Sequence, residues 1–480
     1  MAVDRLLVSV APGEIRIAEM TLGKLTGLTV DRAGQRSIIG NIIAGRVEAV
    51  MPNLQAAFVD IGEERSGYLG LPEARTHGAE PNDAISDYVV EGETILVQIT
   101  REPEAKKGAK LTMKPAFTGR DLIFTPAQPG VSISRRISDV EERDRLSDAV
   151  QRCETKGGFI VRTSAQEAEA EDLIREANRL SGVWSQVETK LASARPPETI
   201  FNEVAPAKRL LREAGGVELN AVVTDDPDMF NALKAFTEEE MPDITDLIRL
   251  HRDKAALFRF EGVDEMINAA LDPHVALSNG GNIRINETAA LVAVDVNTGG
   301  AVGGNRRQVI KAVNSDAARV FAEQMRLRNL SGLIVIDFVS MRDERDREDV
   351  LEALRQAVTE DSRRPFVGGF TRFGLVELTR RRQGLSLSEI LCVESSVPEK
   401  SSVTTGLQAL RRVIEEATAR PAAQFTIEVS GPVRHAFETR LTAAVEETKN
   451  RLGGGLIVIG NETLKADEIL IYRGTKEIHD

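Results

Sequence analysis

The stretch from 279 to 391 constrains the fold most, because apolar runs of strand length alternate there with segments of helical periodicity. IRINETAALVAVDVN, RQVIKAVNSDAARVFAEQMRLR, SGLIVIDFV, a charged helix at 343–361 and FVGGFTRFGLVELTR read in turn as strand, helix, strand, helix and strand. Leu291 to Val294 is continuously apolar, which predicts a strand buried on both faces, and Asp295 ends that run. Asp337 ends the run Leu333–Ile336 in the same way, 42 positions further on. Between them Val309, Ala312, Val313, Ala317, Val320 and Phe321 recur at helical spacing. A strand, a helix and a second strand imply a right-handed parallel crossover, which brings both strand C-termini to one edge of the sheet.

That edge is where open α/β sheets bind ligands. Asn297 follows Asp295 by two residues, so both side chains leave the strand on one face. Two carboxylates held together repel unless one protonates or a cation neutralises them. With no His or Cys nearby, the hard oxygen donors favour Mg²⁺ or Mn²⁺, ions whose bound water can attack a phosphodiester. One strand-ending aspartate is ordinarily a turn or cap residue; two of them plus Asn297 favour a metal site. The loop NTGGAVGG lacks both the Gly-Lys-Ser/Thr of a P-loop and dinucleotide spacing, and reads as a flexible loop near substrate.

At 480 residues the chain exceeds what one core serves, so several subdomains are expected. LLVSV, EIRIAEM and LTGLTVDR read as N-terminal strands, and close-spaced β-runs from 36 to 120 read as a small OB-type barrel. The segment 121–215 is mixed: LIFT and FIVRT are strands, DVEERDRLSDAVQRCE is a helix, and a long polar helix runs from Ala165 to about Ala194. Next come ELNAVVTD and PDMFNALKAFTEEE, with apolar segments able to pair with the N-terminal strands and so make the barrel an insertion. The tail from 407 reads as a small α+β unit.

A net charge of −13 argues against coating nucleic acid through bulk positive charge, so any RNA site must be local. No apolar run approaches a membrane span, and the N-terminus lacks a basic leader region. Cys153 and Cys392 stand far apart without metal-ligand partners, which favours the cytoplasm over a disulfide-rich compartment.

AVDVNTGG, LIVIDFVSM and FTRFGLVELTRRR together resemble the ribonuclease E/G family. The resemblance extends through Gly40-Asn41-Ile42, AAFVDIGEERSGYL, FIVRT and MRLRNLSGLIVIDF, covering nearly the whole chain. It implies an α/β and α+β multidomain fold. Residues 1–35 and 216–278 would form an RNase H-like subdomain interrupted by an OB-fold barrel at 36–120. A 5′-sensor would follow at 121–215, a DNase I-like catalytic subdomain at 279–391, a linker at 392–406 and a small C-terminal domain at 407–480.

By the same resemblance Asp295 and Asp337 would bind magnesium, with Asn297 catalytic. Arg162 and Thr163 would grip an RNA 5′-monophosphate, with Gly119 and Ile123 near the matching backbone positions and Arg372 in support; a guanidinium, a hydroxyl and amides suit a phosphate monoester. In the barrel Phe58 and Tyr68 would receive bases and Lys107 would neutralise backbone, although ordinary core packing is as good a reading of Phe58. Arg380 and Arg381 would contact phosphates, the alternative being that Arg380-Arg381-Arg382 is a solvated helix face.

Two departures from the family pattern matter. The Cys-Pro-x-Cys that links protomers through zinc is replaced by ILCVESSVPEK, and Cys392 alone cannot supply about four ligands. Zinc and a zinc-linked tetramer are therefore not expected, which leaves a homodimer without that link. The helix after Asp295 opens with Arg306-Arg307-Gln308 where acidic residues are usual. Without an Arg- and Pro-rich tail to scaffold a degradosome, the resemblance is to the short, ribonuclease G-like members. The expected activity is magnesium-dependent endoribonuclease cleavage of single-stranded, A/U-rich, 5′-monophosphorylated RNA in rRNA processing or mRNA turnover. The alternative is an RNA-binding paralogue with weak or lost cleavage.

Overall fold

The computed structural model describes residues 3–32, 37–75, 83–103, 107–153, 155–166, 168–214, 219–301, 304–359, 361, 363–393 and 399–474. They fall into two compact units, one comprising Met1–Gln35, Glu218–Leu233 and Asp246–Asp480, the other Arg36–Val217 and Lys234–Thr245.

In the first unit β1 (Arg5–Ala11), β2 (Glu14–Thr21) and β3 (Lys24–Arg32) make an antiparallel meander. Gly13 turns β1 into β2 with φ +77°, a conformation a side chain resists.

The second unit begins with β4 (Ile42–Met51), β5 (Ala56–Asp60), β6 (Gly67–Gly70), β7 (Thr94–Arg101) and β8 (Lys110–Thr112). β4 pairs with both β5 and β7, and β8 joins β6 to β7, so the five strands close into a barrel consistent with an OB fold. Closure buries Val47, Val59, Leu69, Val97 and Leu111 at its centre.

Next, β9 (Phe117–Thr118), β10 (Leu122–Thr125), β11 (Gly130–Ile133) and β12 (Gly158–Val161) form a four-stranded sheet in the order β11-β12-β10-β9. It buries Phe117, Phe124 and Phe159 together with Leu146 and Val150 of α1 (Val140–Gln151) and Leu173 and Leu180 of α2 (Ala170–Leu191). The long helix starts later than its polar pattern predicts, because Thr163–Ala165 forms a separate 3-10 turn. β13 (Glu198–Phe201) pairs with the edge of β4.

Back in the first unit, β14 (Ala221–Thr224) lies parallel to β1, and β15 (Ile248–Leu250) parallel to β14, completing the meander's five-stranded sheet. Its inner face buries Leu7, Ala18 and Met20 with Phe258 and with Val263 and Ile267 of α3 (Val263–Leu271).

The six-stranded sheet of the first unit runs β16 (His274–Ala276), β17 (Asn282–Glu287), β18 (Val292–Asn297), β19 (Gly332–Asp337), β21 (Leu375–Arg380), β20 (Phe366–Phe370) in spatial order. Two segments read as single strands are hairpins. IRINETAALVAVDVN turns where the Thr288 hydroxyl donates to the Leu291 carbonyl (2.7 Å), and FVGGFTRFGLVELTR turns at Thr371–Gly374. β18 and β19 are parallel neighbours joined through α4 (Arg306–Leu327).

The expectation that Leu291–Val294 is buried on both faces is corrected. Val292, Val294 and Val296 are buried under α4 and α5 (Glu344–Val358), while Ala293, Asp295 and Asn297 lie on a more open face. Both helices share one hydrophobic core, so they cover one side of the sheet only. The C-terminal unit packs three helices against a strand, Gln424–Val429, that pairs parallel with Gly455–Gly460 and antiparallel with Ile469–Arg473. Among the described residues no helix is long and apolar enough to cross a membrane.

Candidate active site

Asp295 of β18 and Asp337 of β19 are direct register partners. Adjacent strands lie about 4.8 Å apart and partnered residues point to the same face, so the two carboxylates sit side by side at the C-terminal edge. Both are exposed on the face that the helices leave open. Asn297 donates from Nδ2 to Asp295 Oδ2 at 2.7 Å, which ties that carboxylate to the amide. Arg284 of β17 opposes Asp295 in the next strand and is also exposed, a neighbour that the sequence reading missed. Its signal was the polar alternation of Asn282, Arg284 and Asn286.

Among the described residues no group of three or more His, Cys, Asp or Glu is placed to hold a metal. The donor set here is two carboxylates and an amide. It fits a small hard divalent ion that keeps most of its water, and would not suit zinc.

Behind the sheet, Arg307 of α4 pairs with Asp343 and Asp346 at the opening of α5, each at 2.6 Å. The basic start of α4, which opposes the helix dipole, is thereby matched by the acidic start of its neighbour. Asn305 caps α4, accepting from the Gln308 amide.

Arg380, expected at the RNA, is corrected by its position. It continues the inward alternation Val376, Leu378, Arg380 and is buried, with Nε donating to Asp361 Oδ2 at 2.8 Å and Nη1 to the Leu330 carbonyl at 2.9 Å. The run is a strand end and not a helix face. Arg381 is exposed beyond it, and Arg382 pairs with Glu389. Arg372 lies exposed on the β20–β21 turn of the first unit, beside Phe373, which is 92% exposed.

The remaining candidates belong to the second unit. Arg162 ends β12, and its Nη1 donates to the carbonyls of Gly119 (2.7 Å) and Arg120 (2.8 Å). The backbone amide donates to the Asp121 carbonyl at 2.8 Å, while Nε and Nη2 of the guanidinium have no protein acceptor among the described residues. Thr163 is exposed, its hydroxyl 3.0 Å from that of Ser134. Ile123 is half-buried in β10, opposite Ile160. Gly119 is buried, and its amide donates to the Leu122 carbonyl.

On the barrel Phe58 and Tyr68 are cross-strand partners with rings 6.1 Å apart, edge to face; Phe58 is half-buried and Tyr68 exposed. Lys110 is Tyr68's partner on the other side, so one row carries two aromatics and a cation; Lys107 is exposed nearby in sequence. Cys392 pairs through its backbone with Lys400, and burial pushes its thiol up from the ordinary range. Residues 394–398 of the linker lie outside the described residues.

Comparison with known proteins adds a second line of evidence. The ribonuclease E/G family model matches residues 116–383. Ribonuclease G of Haemophilus influenzae is 36% identical over 444 residues, covering 89% of this chain and 90% of that protein. Ribonuclease G of Escherichia coli K12 is 34% identical over 464 residues, covering 93% and 95%. Ribonuclease E of a Nostoc species is 34% identical over 359 residues, covering 73% of this chain and 52% of that protein.

Proposed function

The chain belongs to the ribonuclease E/G family and is an endoribonuclease of RNA processing, and on that premise we propose that it cleaves single-stranded RNA at Asp295, Asn297 and Asp337 with Mg²⁺. The observation that carries this reading is the parallel register of Asp295 with Asp337. Side-by-side carboxylates on an open face are an electrostatic liability without a cation and a ligand set with one. When bound, the ion supplies a water of lowered pKa and neutralises phosphate charge; Mn²⁺ has the same donor preference. Asn297 holds the Asp295 carboxylate in place, and its amide oxygen orients the attacking water. Arg284 contributes positive charge to the strand's phosphates from the neighbouring row.

The substrate is an extended single strand, because the barrel row of Phe58, Tyr68 and Lys110 offers stacking faces and a cation, which read a splayed strand rather than a duplex. Arg162 and Thr163 select a 5′-monophosphate, Arg162 using the donors left over from its two carbonyl bonds.

Single-turnover cleavage of a 5′-monophosphorylated A/U-rich RNA in Mg²⁺, with Asp295→Asn and Asp337→Asn alongside, tests the reading. Each substitution is expected to lower the rate by roughly a thousandfold while RNA affinity persists. Wild-type protein that binds but does not cut would instead establish an RNA-binding role.

A further inference from the structure

The segment Gly119–Asp121 has every backbone polar group engaged. The Gly119 amide donates to the Leu122 carbonyl, and the carbonyls of Gly119 and Arg120 accept from Arg162 Nη1. The Arg120 carbonyl also accepts from the Ser164 hydroxyl at 2.7 Å, and the Asp121 carbonyl accepts the Arg162 amide at 2.8 Å. The amides of Arg120 and Asp121 both donate to the carboxylate of Glu176 on α2, the latter at 3.0 Å. Arg162 therefore grips the loop by its carbonyls and Glu176 grips it by its amides. The fit leaves no slack, since a Cβ at Gly119 would fall onto Glu176 Oε1.

We propose that Glu176 is the positioning residue of RNA end recognition: by anchoring the Gly119–Asp121 loop from behind, it sets the aim of the Arg162 guanidinium and so the preference for a 5′-monophosphate. The inference rests on the reading of Arg162 and Thr163 as the monophosphate site. Its physical basis is that Arg162's orientation is defined by two carbonyls whose own peptide planes are held by Glu176. An arginine fixed in this way loses little freedom on meeting a phosphate. Without the carboxylate, two half-buried amides lose their acceptor, and the loop must rearrange to satisfy them. Burial, followed by the adjacent Asp121, makes ionised Glu176 costly, and the carboxyl is pushed up to about 7. Arg179 on the same helix lies 3.9 Å from the carboxylate and offsets part of that cost.

The test is the ratio of kcat/KM for a 5′-monophosphorylated RNA to that for a 5′-hydroxyl RNA of the same sequence. Wild type should show a clear preference, and Arg162→Ala should collapse the ratio toward one. Glu176→Ala should lower the ratio about tenfold, with the change in KM for the monophosphorylated strand. Glu176→Gln, which keeps an acceptor oxygen, should restore most of it. Gly119→Ala serves where Glu176→Ala folds poorly: it should lower the ratio alone and add little to Glu176→Ala. A wild type without end preference, or an Arg162→Ala that keeps it, would overturn the monophosphate reading and this proposal with it. Normal behaviour of those two with an unchanged ratio in Glu176→Ala and Gly119→Ala would overturn the proposal alone.

Discussion

Substitution of Asp361 separates a structural from an RNA-contacting role for Arg380. The Arg380 and Asp361 side chains are 5% and 1% exposed, and the guanidinium makes two bonds to the carboxylate and one each to the Leu330 carbonyl and Asn329 Oδ1. Asp361→Ala removes the counter-charge and leaves the cation buried with two neutral acceptors. Breaking a buried pair in this way costs about 3–5 kcal/mol. At roughly 2 °C per kcal/mol for a unit of this size, the melting transition should fall by roughly 6–10 °C. Arg380→Met should cost less, because Asp361 keeps the Arg363 amide at 2.9 Å. The double variant Asp361→Leu with Arg380→Met should recover most of the loss, since no charge is left unpaired. The assay is thermal unfolding followed by circular dichroism, paired with RNA affinity measured across a salt series. If Arg380→Met left the melting transition in place and instead reduced the salt slope by about 0.7, the loss of one single-strand phosphate contact, Arg380 would reach RNA and the structural assignment would fail.

The other predictions follow the same logic. Tyr68→Ala should weaken single-stranded RNA affinity by about 1–3 kcal/mol, the loss of one stacked base; an unchanged Kd in fluorescence anisotropy would remove the barrel row from the RNA path. Because the folded Glu176 carboxyl sits near 7 against an ordinary 4.5, the folded state binds the extra proton and stability falls as pH rises between those values. Glu176→Gln escapes this loss, so its stability should gain on wild type between pH 5 and 8, by up to about 3 kcal/mol less the weakened hydrogen bonds, read as a rising difference in melting temperature. Parallel melting curves would contradict it. Glu14 behaves oppositely: burial disfavours its charge, but Arg411, Arg16 and Arg32 outweigh burial and hold it below the usual range. Its stabilisation is present above about pH 4.5 and lost as pH falls through the depressed value. Glu14→Gln should thus cost about 3–5 kcal/mol near neutrality, with the gap to wild type closing in acid; a pH-independent gap would refute the pairing.

Period and spacing located much of this molecule. Apolar alternation placed β1 to β3, continuous apolar runs placed β18 and β19, and the helical spacing of Val313, Ala317 and Phe321 placed α4, because side-chain burial along one element is a local pattern. The two aspartates were recognisable at the ends of apolar runs for the same reason, and a parallel crossover put both at one edge of the sheet; that their strands are register neighbours came from the structure. Hairpin turns inside IRINETAALVAVDVN and FVGGFTRFGLVELTR were hidden, because neither carries a strong two-residue turn signal between its strands.

What the sequence determined by itself was therefore the class of most elements and the placing of Asp295 and Asp337 at the ends of two apolar runs. Only tertiary structure decided which face of the sheet stays open. It also decided that Arg380 points inward to Asp361, 19 positions away, while Arg381 faces out. The same holds for Glu176, whose acceptors' partners at Arg120 and Asp121 lie more than fifty positions earlier. The physical reason is that a charge's role depends on the dielectric and the partners around it, and for these residues both come from segments distant in the chain.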